Sequence, residues 1–235
     1  MTDPFAFRTP LDVQLAQLGD HRVLVIDDLL EDPDAMVAAA SRSGFQPYPS
    51  LAERVGYPGI RAPAPAGYSA QLTAVMAPLL QQHLGVPAGR PPRKAPCFFS
   101  LTTLQPDELG PMQRTPHFDA STPHHVAVLL YLFKGDEGGT AFYRHRATGL
   151  QQVTPQNRED FLDAYYAELD TQAPPPGYVY ASDDRFELLG TVPARFNRLV
   201  VYHGSLLHSG VIDPQKSLDS DPRTGRLTVN SFYDF

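Results

Sequence analysis

From Cys97 onwards the chain is a succession of short strand-like segments, and this feature most limits what it can fold into. "CFFSLTTL", "VAVLLYLF", "TAFYRH", "YVYA", "FELLG", "RLVVYH" and "RLTVNSFYDF" are rich in β-branched and aromatic residues and separated by turn formers. Many short strands at close spacing build a sandwich or barrel rather than a helical bundle. One helical pattern interrupts them at 157–170, with Phe161, Leu162, Tyr165, Tyr166 and Leu169 on one side and acids on the other. Together with the proline-rich "QAPPPG" after it, this helix forms an insertion at 154–190. It is expected either to pack its aromatic face on the sandwich or to serve as a lid.

The first 95 residues read differently. "HRVLVIDDLL" at 21–30 starts as a strand, and Asp32 with Pro33 opens a helix that stops at Gly44. Gln46 to Gly67 is too rich in proline for a regular helix or a central strand and is expected to be an ordered loop. Leu72, Val75, Met76, Leu79 and Leu80 mark a second helix over 69–84, which Pro78 should kink or split. The fold class expected is mainly β: a jelly roll over 96–235 with helical and loop support from 1–95. No linker or repeat divides the 235 residues, so one domain is expected.

A formal net charge of −7 argues against a nucleic-acid partner, because phosphate contacts need clustered Lys and Arg. The single cysteine, Cys97, excludes an internal disulfide and a cysteine-rich zinc site, and reads as a small buried apolar residue. No apolar run is long enough to span a bilayer and the start lacks a signal-peptide pattern, so a cytoplasmic location without membrane association is expected.

The chemistry is concentrated in "TPHFDAS", "VVYHGSLLHSGV" and "TGRLTVNSFYDF". In a strand, His117 and Asp119 project to one face, with Phe118 on the other. With His208 they make two imidazoles and one carboxylate, the protein half of a facial-triad iron site. Arg226 and Thr228 share a face of a later strand and suit a dicarboxylate ligand. His-x-Asp alone is a weak signal, equally compatible with a surface turn. His203 competes with His208 as third ligand, and Arg223, in a "DPRTG" turn, competes with Arg226.

Four pieces in order, "HFD", "VAVLLYLFKGDEGGTAFY", "NRLVVYHGSLLHSGV" and "GRLTVNSFYDF", resemble the Fe(II)/2-oxoglutarate-dependent dioxygenases, within them the prolyl-hydroxylase-like branch. The resemblance runs from about Ser100 through the closing arginine strand and implies a double-stranded β-helix, the cupin-like jelly roll. It implies Fe(II) on His117, Asp119 and His208, and 2-oxoglutarate as cosubstrate with its distal carboxylate on Arg226, Thr228 and Tyr131. It further implies O2 consumption, release of succinate and CO2, and hydroxylation of a C–H bond in a small-molecule, amino-acid-like or peptidyl substrate. Asn230 and Phe232 continue the inward face. The carboxylate of Asp119 favours hydroxylation, since related halogenases lack it. Two other readings stay open: a cupin-like metal enzyme that does not use 2-oxoglutarate, and a non-catalytic jelly-roll module. His124, His125 and His145, with Arg114, Arg144 and Arg146, are either substrate contacts or ordinary loop and surface residues. Gly138 and Gly139 read as a hairpin turn.

Overall fold

The computed structural model describes residues 4–47, 56–93, 95–135, 138–213 and 218–235. Eleven strands and three α-helices occur in the order β1 (Val13–Leu18), β2 (His21–Ile26), α1 (Pro33–Ala40), β3 (Gln46–Pro47), β4 (Gly59–Pro63), α2 (Ala66–Leu84), β5 (Cys97–Thr102), β6 (His125–Tyr131), β7 (Gly139–His145), α3 (Arg158–Thr171), β8 (Phe186–Pro193), β9 (Leu199–His203), β10 (His208–Val211) and β11 (Arg226–Asp234). An eight-stranded sheet has the order β1-β2-β9-β6-β11-β5-β4-β3, and a three-stranded sheet the order β10-β7-β8. An antiparallel bridge of His117 to His208 adds a fourth, very short member beside β10. From β5 onward the chain crosses between the sheets at each step except β7 to β8, which are neighbours in the small sheet, and the four central strands of the large sheet face the four members of the small one. This is a double-stranded β-helix.

Three apolar layers hold the fold. Between the sheets lie Val23, Val25, Tyr131, Phe133, Phe142, Val200 and Tyr202. The outer face of the large sheet, with Phe99, Leu101, Val128, Leu227 and Val229, is covered by Met36 of α1 and by Tyr68, Leu72, Met76 and Leu80 of α2. The outer face of the small sheet, with Ala141, Tyr143 and Phe186, is covered by Phe161 and Tyr165 of α3. Burying each such side chain contributes about 1.5–3 kcal/mol. The insertion helix therefore packs its aromatic face on the sandwich. His145, with no exposed surface, ties it down through Nε2 to Glu168 Oε2 at 3.0 Å and Nδ1 to Thr148 Oγ1 at 2.9 Å.

Several sequence expectations need correction. Pro78 does not split α2, which runs unbroken from Ala66 to Leu84. Pro78 and Ala74 are exposed, so the carbonyl that Pro78 leaves without an amide partner can be hydrated. The proline-rich stretch contains β4, and residues 48–55 of it lie outside the described residues. Val13–Leu18, read as no element, pairs with β2 in a hairpin whose Gly19 has φ +57°. "YVYA" forms no strand: Gly177 (φ +94°) turns the chain, and the Tyr178 hydroxyl donates to the Leu104 carbonyl at 2.6 Å. Half of the Gly-Gly turn, Asp136 and Glu137, also lies outside the described residues. Gly138 and Gly139 do more than turn the chain, because a side chain on either would strike the backbone of Val211 or Val192.

The end of β2 is fastened to the start of β9 by a bidentate pair, Arg198 Nε to Asp27 Oδ1 at 2.6 Å and Nη2 to Oδ2 at 2.9 Å. Hydrogen bonding from Arg198 holds the Asp27 carboxyl below its ordinary value, against the opposing effect of burial. A depressed carboxyl pKa contributes stability that is present above the unfolded value, about 3.9, and lost as pH falls through the lower folded value. Asp27→Asn is expected to cost about 1–3 kcal/mol at pH 7. In urea unfolding, the gap from wild type should narrow below about pH 4; a gap independent of pH would show that the pair contributes nothing through charge.

Candidate metal centre

Backbone pairing builds the cluster. His117 and His208 lie directly opposite each other, with His117 N–H donating to the His208 carbonyl at 2.9 Å and the reverse bond at 2.8 Å. Residues so paired project to one side, and Asp119, two residues on, joins them. The Asp119 N–H donates to the Gly204 carbonyl at 2.6 Å, which fixes the strand on the far side of the carboxylate. One ligand atom from each of His117, Asp119 and His208 lies within 4.8 Å of the others, and among the described residues this is the one group of three or more His, Cys, Asp or Glu so arranged. His117 Nε2 is 3.9 Å from Asp119 Oδ1, and His208 Nε2 is 3.7 Å from Asp119 Oδ2.

Each ring is prepared for ligation. The His208 Nδ1 lies 2.8 Å from the Leu206 carbonyl; donating there places the Nε2 lone pair towards Asp119. Tyr202 packs edge-on against His208 at 4.9 Å between ring centroids. Burial lowers the His208 pKa to about 4, with the Leu206 carbonyl opposing, so the ring is neutral near pH 7. His117 moves in the same direction through desolvation and the neighbouring His208, although 53% of its side chain opens to the cleft. Desolvation raises the Asp119 carboxyl, while His117, His125 and Arg61 pull it down. Two neutral imidazoles and a carboxylate, one of them accessible from the cleft, can hold a divalent cation and leave positions open.

The inner face of β11 supplies a second group. Arg226 is 5% exposed; its Nη2 donates to the Gly139 carbonyl at 3.2 Å, its guanidinium stands 5.3 Å from the Phe133 ring centre, and its Nε has no partner. Among the described residues no carboxylate pairs with it. An added Cβ on Gly210, two residues beyond His208, would lie 3.8 Å from the Arg226 Nη2, so the guanidinium reaches the strand that carries His208. Thr228 Oγ1 donates to Asn230 Oδ1 at 2.8 Å, and the Tyr131 hydroxyl is 2.7 Å from Thr140 Oγ1. Thr228 and Tyr131 are direct cross-strand partners.

The competing residues lie elsewhere. His203 sits on β9 between Tyr202, which faces the small sheet, and Gly204, so it points to the helical layer. Arg223 is bound to Asp221 in an exposed turn at 2.6 Å. Arg144 pairs with Glu187 at 2.8 Å and Arg146 with the Asp183 carbonyl, so they form no basic group with Arg114 around a substrate. Cys97 is half-buried, accepts a hydrogen bond from Ser231, and burial pushes its thiol up to about 11.

Of two more residues near Asp119, the sequence singles out His125, as a substrate contact or a loop residue, and gives Gly204 no signal. His125 Nδ1 is 2.6 Å from Asp234 Oδ1, its ring stacks on Phe232, and its Cδ2 edge borders Gly204. A Cβ on Gly204 would lie 2.4 Å from His125 Cδ2 and 3.0 Å from Asp119 Oδ2. Gly204→Ala is therefore expected to displace the Asp119 carboxylate and weaken Mn(II) binding about 10–100-fold, read by equilibrium dialysis. Wild-type affinity in a folded Gly204→Ala protein would show that Asp119 is not held through this contact.

Fold and site together define a double-stranded β-helix with a His–Asp–His cluster open to a cleft. By sequence the chain belongs to DUF6445, a family of unknown function, which matches residues 9–233. No curated protein matches it. Among solved structures it is similar to HygX from Streptomyces hygroscopicus, with nickel, 2-oxoglutarate and hygromycin B bound: 13% identity, TM-score 0.44, covering 90% of this chain and 82% of that one. It is similar to an N-substituted L-amino acid dioxygenase from Burkholderia ambifaria at 12% identity and TM-score 0.45, covering 94% of each. A 2OG-Fe(II) oxygenase family oxidoreductase from Burkholderia pseudomallei follows at 12% identity and TM-score 0.34, covering 96% of this chain and 74% of that one. Among the described residues no helix is long and apolar enough to cross a membrane.

Proposed function

We propose that the chain is an Fe(II)- and 2-oxoglutarate-dependent oxygenase that hydroxylates an unactivated C–H bond. The observation that carries this reading is Arg226, a buried guanidinium with an unpartnered Nε and no carboxylate beside it among the described residues, next to the strand that delivers His208. A buried charge without a counter-charge is costly, and a dianionic cosubstrate would neutralise it. His117, Asp119 and His208 would hold the iron. When bound, iron with 2-oxoglutarate and O2 supplies the oxidising chemistry, converting the cosubstrate to succinate and CO2 while one oxygen atom goes to the substrate.

The protein's own part is positioning and exclusion of water. Arg226 would take the distal carboxylate through its N–H edge, with the hydroxyls of Thr228 on the same strand and Tyr131 on the neighbouring one as further polar contacts. Phe133 and Phe142 keep that end of the cavity dry, which strengthens the ionic contact. The Leu206 carbonyl holds His208 in the ligating tautomer. The motif resemblance to the prolyl-hydroxylase-like branch makes amino-acid-like and peptidyl compounds the first substrates to screen.

Anaerobic addition of Fe(II) and then 2-oxoglutarate should produce a visible charge-transfer band. Admission of O2 should then yield succinate. Iron binding with neither band nor succinate would transfer the site to a metal enzyme that does not use 2-oxoglutarate.

A further inference from the structure

Two of the three proposed metal ligands sit on one very short strand. Among the described residues, its backbone is bonded to the rest of the fold through the His117–His208 pair and through the N–H groups of Asp119 and Ala120, which donate to the Gly204 carbonyl. It lies at the edge of the small sheet, so β10 flanks it on one side and no described strand on the other. Elements with so few bonds open locally at low cost. What covers the outer face of this strand is α3. Phe118, between the two ligands, packs edge-on against Phe161 at 5.8 Å between ring centres. Two residues before His117, Thr115 Oγ1 is 2.6 Å from the Tyr165 hydroxyl, which also lies 3.4 Å from Met112 Sδ. Phe161 and Tyr165 are one turn apart on α3, stacked at 5.7 Å, and both are buried. The same helix is anchored on β7, where Phe161 meets the His145 ring at 5.1 Å and Glu168 holds its Nε2. In the sheet order, α3 therefore spans β10, from β7 to the ligand strand.

We propose that α3 is a positioning clamp on the metal centre: Phe161 and Tyr165 hold the strand of His117 and Asp119 in place opposite His208, so that metal binding and docking of α3 favour each other. This rests on the metal reading of the three ligands and not on the use of 2-oxoglutarate. Alternate residues of a strand point to opposite faces, so Phe118 on the α3 side and the ligands on either side of it move as one body. A shift of that body displaces His117 and Asp119 together, while His208 stays held by the Leu206 carbonyl. Aromatic burial supplies attraction without direction, and rings can slide over one another. The hydroxyl contact of Tyr165 with Thr115 has a set length and angle, so it fixes where along α3 the strand sits. The coupling is reciprocal: whatever docked α3 adds to metal affinity, bound metal returns to the docking of α3.

The test uses the whole protein with Mn(II) as the probe, read by equilibrium dialysis and by hydrogen exchange of backbone amides. Tyr165→Phe keeps the ring and removes the hydroxyl, and should weaken Mn(II) binding about 3–10-fold, the range open to one lost hydrogen bond. Thr115→Val should do the same, and Thr115→Ser should keep most of the wild-type affinity. The double variant Tyr165→Phe/Thr115→Val should lose less than the two single losses combined, because both remove one contact. Leu72→Ala, on α2 against the outer face of the large sheet, costs stability without touching the ligand strand and should leave Mn(II) affinity unchanged. Saturating Mn(II) should slow exchange in α3 more than in α2, and the difference should shrink in Tyr165→Phe. Wild-type affinity in folded Tyr165→Phe and Thr115→Val proteins, an equal loss in Leu72→Ala, or α3 exchange indifferent to Mn(II) would each overturn the proposal. Failure of the metal reading is seen separately, as wild-type protein that takes up no Mn(II) in the first dialysis, and it overturns the clamp as well.

Discussion

His208→Ala is expected to lower Mn(II) or Fe(II) affinity by more than about 100-fold, while His203→Ala leaves it unchanged. Loss of a partner that merely orients a ligand typically costs 10–100-fold, so loss of a ligand itself should exceed that range. The two histidines are five residues apart in the same segment, and the fold sends them to opposite sides. His203 ends β9 on the face turned to the helical layer, whereas His208 opens β10 opposite His117. The pair of variants therefore separates ligation from any general effect of removing an imidazole. Equilibrium dialysis with metal analysis reads the affinities, and circular dichroism verifies that each variant is folded. Retained binding in His208→Ala with loss in His203→Ala would reverse the assignment of the third ligand.

Arg226→Met should abolish 2-oxoglutarate binding without lowering the stability of the metal-free protein. Truncating one member of a buried ionic contact costs about 2–5 kcal/mol, or roughly 30-fold to several thousand-fold in affinity. The sign for the free protein is the more telling part. Arg226 is buried beside Phe133 with one long hydrogen bond to the Gly139 carbonyl, and among the described residues no carboxylate repays its desolvation. Replacing such a cation by an apolar side chain of similar length is commonly neutral or stabilising. A thermal melt of the metal-free variant should match or exceed wild type, and only wild type loaded with Mn(II) should gain stability on adding 2-oxoglutarate. A sharp loss of stability in the free variant would make Arg226 a structural clamp on the Gly139 turn, and the cosubstrate role would fall with it.

Much of the strand pattern is legible in the sequence, because the segments after Cys97 are rich in β-branched and aromatic residues and separated by turn formers. His117, Asp119 and His208 could be named for a related reason: strand geometry puts alternate residues on one face, and a strand that returns beside another can bring a distant ligand opposite. What hid β1 and β4 was local composition. Val13–Leu18 alternates with small and polar residues, and Gly59–Pro63 ends in the proline that an edge-near strand tolerates. "YVYA" failed for the opposite reason, since its β propensity has no strand to pair with and its tyrosine is used to plug a loop. Pro78 misled because its cost depends on whether the freed carbonyl meets water, and that is a property of the packed helix rather than of the residue. Gly204 had no signal at all, and His125 only that of a histidine close to Asp119. Their places beside Asp119 come from the closeness of backbones, which no spacing along one segment expresses.

The strand that carries Arg226, Thr228 and Asn230 is also the latest strand in the chain, and it inserts between β6 and β5. During synthesis those two strands wait with open edges until β11 leaves the ribosome, and their pairing must close across long sequence separations. Closure of the barrel and burial of the Arg226 guanidinium are thus a single late event. On the proposed reading, a nascent chain stalled before Arg226 would already carry His117, Asp119 and His208 yet lack the guanidinium that engages the cosubstrate.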